Sequence, residues 1–375
     1  MTAPNVPVLA RRVKSLTYFA AATGIAVLLA TIAVWQRASS GEPDFKPVRM
    51  YPALEAAMNN VAAIQVETKG ASFNVVRSAN NEWKLPDKEN YPADAATILK
   101  VVHGLAELDL VEMRSARPDW HERLGLGLPK KGGSGTLITL KDAKGEALAS
   151  LIAGVSVEGA SSGGRQAIYV RRANQDQTYV ARGNFSVPVE QTQWLNKAFI
   201  DLARDRVKMV AMTPFKGRTY SVTRASPQEE NFRVVEAIPA GRVLRTENEA
   251  NGVGNALLGL SFDDVAPQSK FDFKVGARAA FVSFDGLTLN ISLIEKDRDY
   301  WMTVSAVATP QPETPPPAGA NPPTLKPDVT KEALEINKVV AGWAYKIPRY
   351  KGTLMSAPLD DLLRPVGTPL GPSIQ

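Results

Sequence analysis

The chain has 375 residues, of which 44% are hydrophobic, and a formal net charge of +6 from 44 Lys and Arg against 38 Asp and Glu. Four of the basic residues fall within the first 37 positions, which hold no acidic residue, so the remainder is nearly neutral and lacks the clustered basic surface typical of nucleic-acid binding. Cysteine is absent, which excludes disulfides, thiol catalysis and cysteine-ligated metals, and favours a bacterial envelope protein over a metazoan extracellular one.

The first predicted element is a membrane-spanning helix at residues 15–36, which contain no charged residue. A helix of that length measures roughly 33 Å, enough to cross a hydrocarbon core of about 30 Å. Tyr18, Phe19 and Trp35 lie near its two ends, where aromatic rings suit the headgroup boundary. Gly24 is one of several small residues that lie four positions apart, a spacing that lets another helix approach closely. The alternative is an ordinary lipid-facing surface.

The basic residues around the span predict its orientation. Arg11, Arg12 and Lys14 lie in the predicted cytoplasmic tail, residues 1–14, and only Arg37 follows the span closely. Because basic residues are retained on the cytoplasmic side, we expect a single-pass protein of the bacterial inner membrane with its bulk in the periplasm. The main alternative is a cleaved signal peptide, whose apolar core is usually only about 7 to 15 residues.

A tether at residues 37–48 leads into a first predicted module, residues 49–206. Alternation of apolar and polar residues predicts strands at 61–68, 72–78 and 82–86, which form an antiparallel meander. A helix beginning at Pro92 should cover that sheet through an apolar stripe. Further strands are predicted at 135–154 and 166–172. A short helix at 189–201 should pack Trp194, Leu195, Ala198 and Phe199 on the sheet.

A second predicted module, residues 207–308, repeats this order of features. Segments 207–213, 219–225 and 231–237 echo the first three strands, and the apolar run 255–260 takes the place of the helix. Later strands are predicted within 279–295 and 300–307. We therefore predict an α+β fold with two tandem modules, each an antiparallel sheet with a covering helix.

Two segments complete the predicted domain organisation. Residues 309–327 are rich in proline and form a linker. Residues 328–375 resume as a helix with an apolar stripe of Ala333, Ile336, Val340 and Trp343. A tail with this apolar content should dock onto the body, and a free interaction arm is the alternative.

The chain contains no pattern that predicts catalysis, a cofactor or a metal. His103 and His121 are its two histidines, and we expect both on helix surfaces. His121 and Glu122 begin like a zinc-protease helix, but Gly125 takes the place of the second histidine. The protein is therefore predicted not to be an enzyme, with an envelope hydrolase as a remote alternative.

Three other residue classes receive structural interpretations. The glycines within 125–135 precede a strand instead of a helix, so we interpret the segment as a flexible loop and not as a phosphate cradle. The acidic pairs Asp263–Asp264 and Asp360–Asp361 suit loops or helix starts. We expect core positions for the tryptophans at Trp83, Trp120, Trp194, Trp301 and Trp343.

Several phrases together resemble a bacterial family, the domain of unknown function 4340. They are EWKLP and the following YPADAATILKVVHGLAELDLVE, RLGLGLP, RQAIYVRRANQDQTYVA, QWLNKAFIDLARDRVKMV, and GWAYKIPRYK with its Asp360-Asp361-Leu362-Leu363 ending. The resemblance implies a membrane-anchored extracytoplasmic protein, often associated with ABC-type exporters that have a gliding-motility-like auxiliary subunit. It carries no catalytic residues.

The expected function is therefore that of a non-enzymatic scaffold or accessory of an envelope transport complex. Its expected partners are the bilayer and a transporter permease or auxiliary subunit, and not nucleic acid. The alternative is a periplasmic binding module that holds a glycan, lipid or small ligand in a cleft between the two modules.

Overall fold

The structure is a computed structural model and describes residues 23–32, 45–157, 165–200, 202–309 and 328–367. The fold is mixed α+β, with mostly antiparallel sheets and few helices, as the sequence predicts at this coarse level. This description covers the predicted modules but little of the predicted anchor.

Residues 23–32 form helix α1, whose side chains are exposed. No helix in the described ranges combines the length and apolar character needed to cross a membrane. Gly24 lies in α1, with no atom within 4 Å of the position that a Cβ would take. The other residues assigned to the anchor lie outside the described ranges, so the span at 15–36 stays a prediction: Arg11, Arg12, Lys14, Tyr18, Phe19 and Trp35.

A ten-stranded antiparallel sheet forms the first half of the structure, in the order β1-β6-β10-β9-β8-β7-β2-β3-β4-β5. Helices α2 (Leu54–Ala57) and α3 (Ala95–Ala106) connect some of its strands. The strands are β1 Val48–Arg49, β2 Ala63–Glu67, β3 Ser72–Arg77, β4 Trp83–Leu85, β5 Tyr91–Pro92, β6 Asp109–Met113, β7 Thr136–Lys141, β8 Ala147–Ser156, β9 Gln166–Arg172 and β10 Thr178–Gly183.

Helix α3 forms where the apolar stripe predicts it. Asp94 precedes it in extended conformation, and its carboxylate accepts a hydrogen bond from the Thr97 amide at 2.9 Å. This cap satisfies one of the amides that have no partner within the helix. The predicted stripe is confirmed, because its members are all buried: Ile98, Val101, Val102, Leu105 and Leu108.

An eight-stranded antiparallel sheet forms the second half, in the order β13-β12-β11-β16-β17-β18-β19-β15. Its strands are β11 Val207–Thr213, β12 Tyr220–Thr223, β13 Arg233–Val234, β15 Asp264–Pro267, β16 Ala277–Ser283, β17 Leu287–Lys296, β18 Asp299–Ala308 and β19 Trp343–Ile347. Strands β14 (Arg242–Leu244) and β20 (Leu363–Pro365) form a separate two-stranded sheet. The helices of this half are α4 Asn251–Gly254, α5 Val329–Val340 and α6 Arg349–Leu354.

The two large sheets share one strand order. Reading β6-β10-β9-β8-β7-β2-β3-β4 in the first sheet matches β15-β19-β18-β17-β16-β11-β12-β13 in the second. The match assigns β19 the position of β10, although α5 and the proline-rich segment separate β19 from β18. Residues of the predicted tail thus form a strand in the same sheet as residues 207–308.

The predicted helix at 189–201 is wrong. Only Gln191–Trp194 form a 3-10 turn, and no helix follows it up to Ile200. Leu195 makes a β-bridge with Ala93, and the Asn196 amide donates to the Pro92 carbonyl at 3.0 Å. Pairing with the exposed edge of β5 therefore replaces helical hydrogen bonds, and Ala198 is exposed instead of packed.

The helix expected near 255–260 is reduced to α4 and the turns that follow it. Gly252, Gly254 and Gly259 interrupt the segment, and glycine costs about 1 kcal/mol per residue in a helix. Leu257 is buried, but Leu258 is exposed. The apolar run therefore contributes to the core without forming a second copy of α3.

Helix α5 is fixed to the second sheet by a buried ion cluster. Arg206 donates to both carboxylate oxygens of Glu332, at 2.9 and 2.7 Å, and to Asp285 at 3.0 Å. Burial acts to lower the pKa of Arg206, but the two carboxylates outweigh it and raise that pKa above its ordinary value. The α5 side chain of Asn337 also bonds the backbone amide and carbonyl of Ala306, which protects the open part of the β18 edge.

Candidate functional site

One side of the second sheet carries a strip of uncharged side chains along its two longest strands. Along β17 and β18, alternate residues such as Leu289 and Met302 point into the core, so the residues between them point outward. We define the open face as the uncharged outward residues of these two strands: Thr288, Asn290, Ser292 and Ile294 of β17, and Trp301, Thr303, Ser305 and Val307 of β18. All are exposed or half-buried except Thr303, and none is charged. Charged residues border the open face, because Lys296 and Asp299 lie at the turn between the strands, Arg278 of β16 lies opposite Ser292, and Lys346 of β19 lies opposite Trp301.

The corresponding side of the first sheet is covered. The segment 114–135, which connects β6 to β7, crosses it and buries Leu126, Leu137 and Ile152 in a small apolar cluster separate from the main core. Arg171 Nε donates to the Leu126 carbonyl at 2.9 Å, which fixes the segment to β9. In the second sheet, the equivalent connection from β15 to β16 is residues 268–276 only, and it leaves the open face largely uncovered.

Glycines make this covering segment close-packed. A Cβ at Gly133 would lie 2.3 Å from the Gly127 carbonyl carbon, and one at Gly154 would lie 2.2 Å from the Leu124 oxygen. No side chain fits such distances without displacing the backbone. The interpretation of 125–135 as a flexible loop is therefore wrong, because these glycines allow backbone to approach backbone; the strand predicted after them is confirmed as β7.

The short connection of the second sheet borders a cavity beside the open face. This cavity, the aromatic groove, has a volume of about 630 Å³ and is shallow and open. Phe271 of its lining connects it to the open face, because the Phe271 ring lies 4.6 Å from the Trp301 ring. Lys296 Nζ lies 5.1 Å from the Phe271 centroid. Its lining consists of Gln268, Ser269, Phe271, Asp272, Phe273, Lys274 and Gly342.

The chemistry of the open face and aromatic groove favours binding over reaction. Rings, hydroxyls and amides provide stacking and hydrogen bonds, and Lys274 and Lys296 add positive charge at one end. Fully buried parts of protein interfaces are depleted in charged residues and enriched in aromatic ones. A strip of uncharged side chains with charged residues at its border and an aromatic groove at its end therefore has the composition of a protein-binding surface.

The junction between the two sheets is packed with aromatic rings. Tyr91 of β5 lies 4.9 Å from Trp343 and 5.9 Å from Phe262, and Phe199 lies 4.5 Å from Tyr345. Burial raises the pKa of Tyr91 to about 12, and it also raises the pKa of Tyr345. These rings fill the place where a ligand cleft was predicted, and the aromatic groove is lined by residues of the second half alone.

Two ion pairs close the rim of the junction. Lys88 donates to Asp264 at 2.6 Å, and Lys270 lies 3.0 Å from Glu89. Asp264 begins β15, so its expected place in a loop or helix start is wrong. The second acidic pair is confirmed, because Asp360 and Asp361 lie in the first turn of the 3-10 helix Leu359–Leu362.

The two histidines lie apart and in different surroundings. His103 is exposed on α3, as predicted. His121 is buried between two 3-10 turns, and its Nε2 donates to the Asp176 carbonyl at 2.8 Å, so its predicted position on a helix surface is wrong. Gly125, at φ +67°, ends the second turn and folds the segment back across the sheet. No group of three or more His, Asp and Glu side chains suited to a metal occurs among the described residues.

The tryptophans only partly follow their prediction as core residues. Trp194 is fully buried, with Nε1 donating to the Pro188 carbonyl at 3.0 Å, whereas Trp120 is 40% exposed. Trp83, Trp301 and Trp343 are half-buried. The sequence did not predict the open face, although the run of uncharged outward residues from Thr288 to Ile294 was a readable signal.

Comparisons with known proteins give a match to a family model. The family model described as "Domain of unknown function (DUF4340)" matches residues 83–276, which is more than half of the chain. No curated protein and no solved structure matches the chain. The matched range extends from β4 to the end of the connection between β15 and β16.

Proposed function

We propose that this chain, which belongs to the DUF4340 family, is a non-enzymatic, membrane-anchored accessory of an envelope transport complex. In this proposal residues 15–36 span the inner membrane, and the body lies in the periplasm as two copies of one module. The open face is the surface that binds a transporter permease or auxiliary subunit. The observation that carries the proposal is this uncharged sheet face beside an aromatic groove.

The contrast between the two sheets supports the choice of surface. A β-sheet face needs cover from another element, and the first sheet has that cover in the segment 114–135. The second sheet presents an apolar and hydroxyl-rich face with a half-buried Trp301 at its end. A partner that covers this face would gain contact area over uncharged side chains, with Arg278 and Lys346 at the border of the contact.

Site-directed crosslinking tests the proposed surface. A photo-crosslinking amino acid at Ser305, on the open face, should join the full-length protein in cells to a transporter subunit identified by mass spectrometry. The same amino acid at Asn60, an exposed position in the first half, serves as the control. The proposal fails if Ser305 gives no adduct with a transporter subunit, or if both positions give the same adducts.

The proposed anchor is tested separately. Full-length protein should remain in the membrane pellet after carbonate extraction, and alkaline phosphatase fused to its C-terminus should be active. A mature protein that begins near Ala38 and is released by carbonate would contradict the anchor.

A second candidate function rests on the aromatic groove itself. Phe271 and Trp301 form a platform of the kind on which sugar rings or acyl chains stack, and Lys274 could contact an anionic group. Titration of the full-length protein in detergent with a glycan fragment, read by tryptophan fluorescence, should show saturable binding that Trp301→Ala removes. Unchanged fluorescence with envelope glycans and phospholipids would eliminate this candidate.

A further inference from the structure

The chain enters the first sheet at one identifiable place. Strand β1 runs antiparallel to β6, with Val48 opposite Leu110, so the residues before Val48 run toward the end of β6 at Met113. Phe45 confirms this direction, because its ring lies 6.2 Å from Tyr179, the residue opposite Met113 on β10. Any tether that leads from the proposed membrane span therefore reaches the body beside Met113.

The segment after β6 surrounds this entry point. The Arg114 amide donates to the Thr178 carbonyl at 2.9 Å, and the Thr178 amide donates to the Ser115 carbonyl at 3.0 Å. Further along, His121 bonds the carbonyl of Asp176 in the turn between β9 and β10. These contacts hold the turn at Pro118–Trp120 beside the turn between β9 and β10, and β10 continues from there to Tyr179, opposite Met113.

Exposed apolar side chains are concentrated around the entry point. Val48, Met113 and Trp120 are 49%, 50% and 40% exposed, although each is large enough to be buried in a core. The Arg123 guanidinium lies 5.6 Å from the Trp120 ring centroid, so a cation is held over an aromatic surface. Nearby Arg117 is paired with Asp119 at 2.7 Å and adds little net charge.

We infer that this set of residues, Val48, Met113, Trp120 and Arg123, rests on the surface of the bilayer at headgroup level. The inference depends on the proposed anchor. Only residues 37–44 separate the proposed span from Phe45, and even fully extended they reach about 30 Å. Tryptophan prefers the membrane interface, and a guanidinium binds lipid phosphate well. The body is therefore held in one orientation, which fixes the direction of the open face relative to a membrane partner.

Because the chain lacks cysteine, a single labelled position can test this contact in the full-length protein. Asn174→Cys places a bimane label in the exposed turn between β9 and β10, the turn whose Asp176 carbonyl accepts the hydrogen bond from His121. Ser186→Cys places the same label just beyond the other end of β10 and serves as the matched control. Both proteins are reconstituted in nanodiscs of phosphatidylethanolamine and phosphatidylglycerol that contain a headgroup-nitroxide lipid.

We expect quenching of the label at position 174 to be at least threefold stronger than at position 186. Adding Trp120→Ala to the Asn174→Cys protein should remove most of that difference, while its melting temperature stays within about 2 °C because Trp120 is partly exposed. Equal quenching at the two positions would overturn the inference. So would quenching that Trp120→Ala leaves unchanged. An adduct between this surface and a protein partner that shields it from lipid would overturn it as well. Protein that fails to enter nanodiscs and is released by carbonate would instead refute the anchor itself.

Discussion

The outer sides of the two sheets differ although the sheets share one strand order. In the first sheet the long connection 114–135 crosses the surface and buries Leu126 against β7 and β8. In the second sheet the equivalent connection, 268–276, is short. Its Phe271 lies beside Trp301, and the open face stays largely uncovered. The comparison teaches that the length of one connection decides whether a sheet face is internal core or available surface.

The second sheet compensates with a different long connection. Between β9 and β10 the chain turns through residues 173–177, whereas between β18 and β19 it includes α5. This helix packs on the core side through Ala333 and Val340 and is held by Glu332. Each half therefore has one long insertion, but the two insertions cover opposite sides of their sheets.

The largest expected effect comes from breaking the ion cluster that holds α5. Arg206→Ala removes the guanidinium that two buried carboxylates bind, so we expect a loss of about 3 to 5 kcal/mol in the free energy of unfolding. Hydrogen exchange should increase in α5, β18 and β19 before it increases in the first sheet. Arg233→Ala, at an exposed arginine, is the control and should cost less than about 0.5 kcal/mol. Equal losses in both variants would contradict the role of the cluster.

Truncating the cover of the first sheet should have the next largest effect. Leu126→Ala leaves a cavity in a closed apolar cluster and should lower the free energy of unfolding by about 3 kcal/mol, measured by urea denaturation. Phe271→Ala at the open counterpart should cost about 1 kcal/mol, because Phe271 is only half-buried. Leu334→Ala, on the exposed side of α5, is the control for leucine truncation. Similar costs for Leu126→Ala and Phe271→Ala would remove the difference between the two faces.

Alkaline pH should loosen the junction between the sheets. The folded-state pKa of Tyr91, raised to about 12 by burial, lies above the ordinary value near 10. The free energy of unfolding is therefore unaffected by the ionisation of Tyr91 below pH 10. It falls as the pH rises from about 10 to 12, because Tyr91 ionises in the unfolded chain before it ionises in the folded one. The loss from this residue is on the order of 2 kcal/mol.

Denaturation followed between pH 9 and pH 12 checks this expectation. Tyr91→Phe should flatten the decline, whereas Tyr350→Phe, at an exposed tyrosine, should leave it unchanged. A decline that is identical in the wild type and Tyr91→Phe would show that the junction does not carry this dependence.

Charging the open face should have the smallest effect on stability. Asn290→Lys with Ser305→Lys places two cations opposite each other on exposed positions of β17 and β18, and their repulsion should lower the free energy of unfolding by no more than about 1 kcal/mol. Recovery of the transporter subunit with the full-length protein should nevertheless fall at least tenfold, because the buried part of an interface disfavours unpaired charge. Asn60→Lys is the matched control. Retained recovery in the double variant would exclude the open face.

Local patterns predicted the elements well where side-chain alternation was regular. The segments at 166–172 and 207–213 coincide with β9 and β11, and the stripe after Pro92 forms α3. The patterns failed where the backbone found a distant partner, as at 189–201, which pairs with β5, and at His121, which is buried against a turn 55 residues away.

The sequence by itself determined the alternation of each strand, the cap and stripe of α3, the absence of thiol chemistry and the repeated order of features, because these depend on neighbouring residues and on composition. Only the tertiary structure decided that β19 joins β18, that Arg206 binds Glu332, and that one sheet face is covered while the other is open. These features depend on contacts between residues far apart in the chain, whose geometry follows from the packing of whole sheets and not from any local pattern.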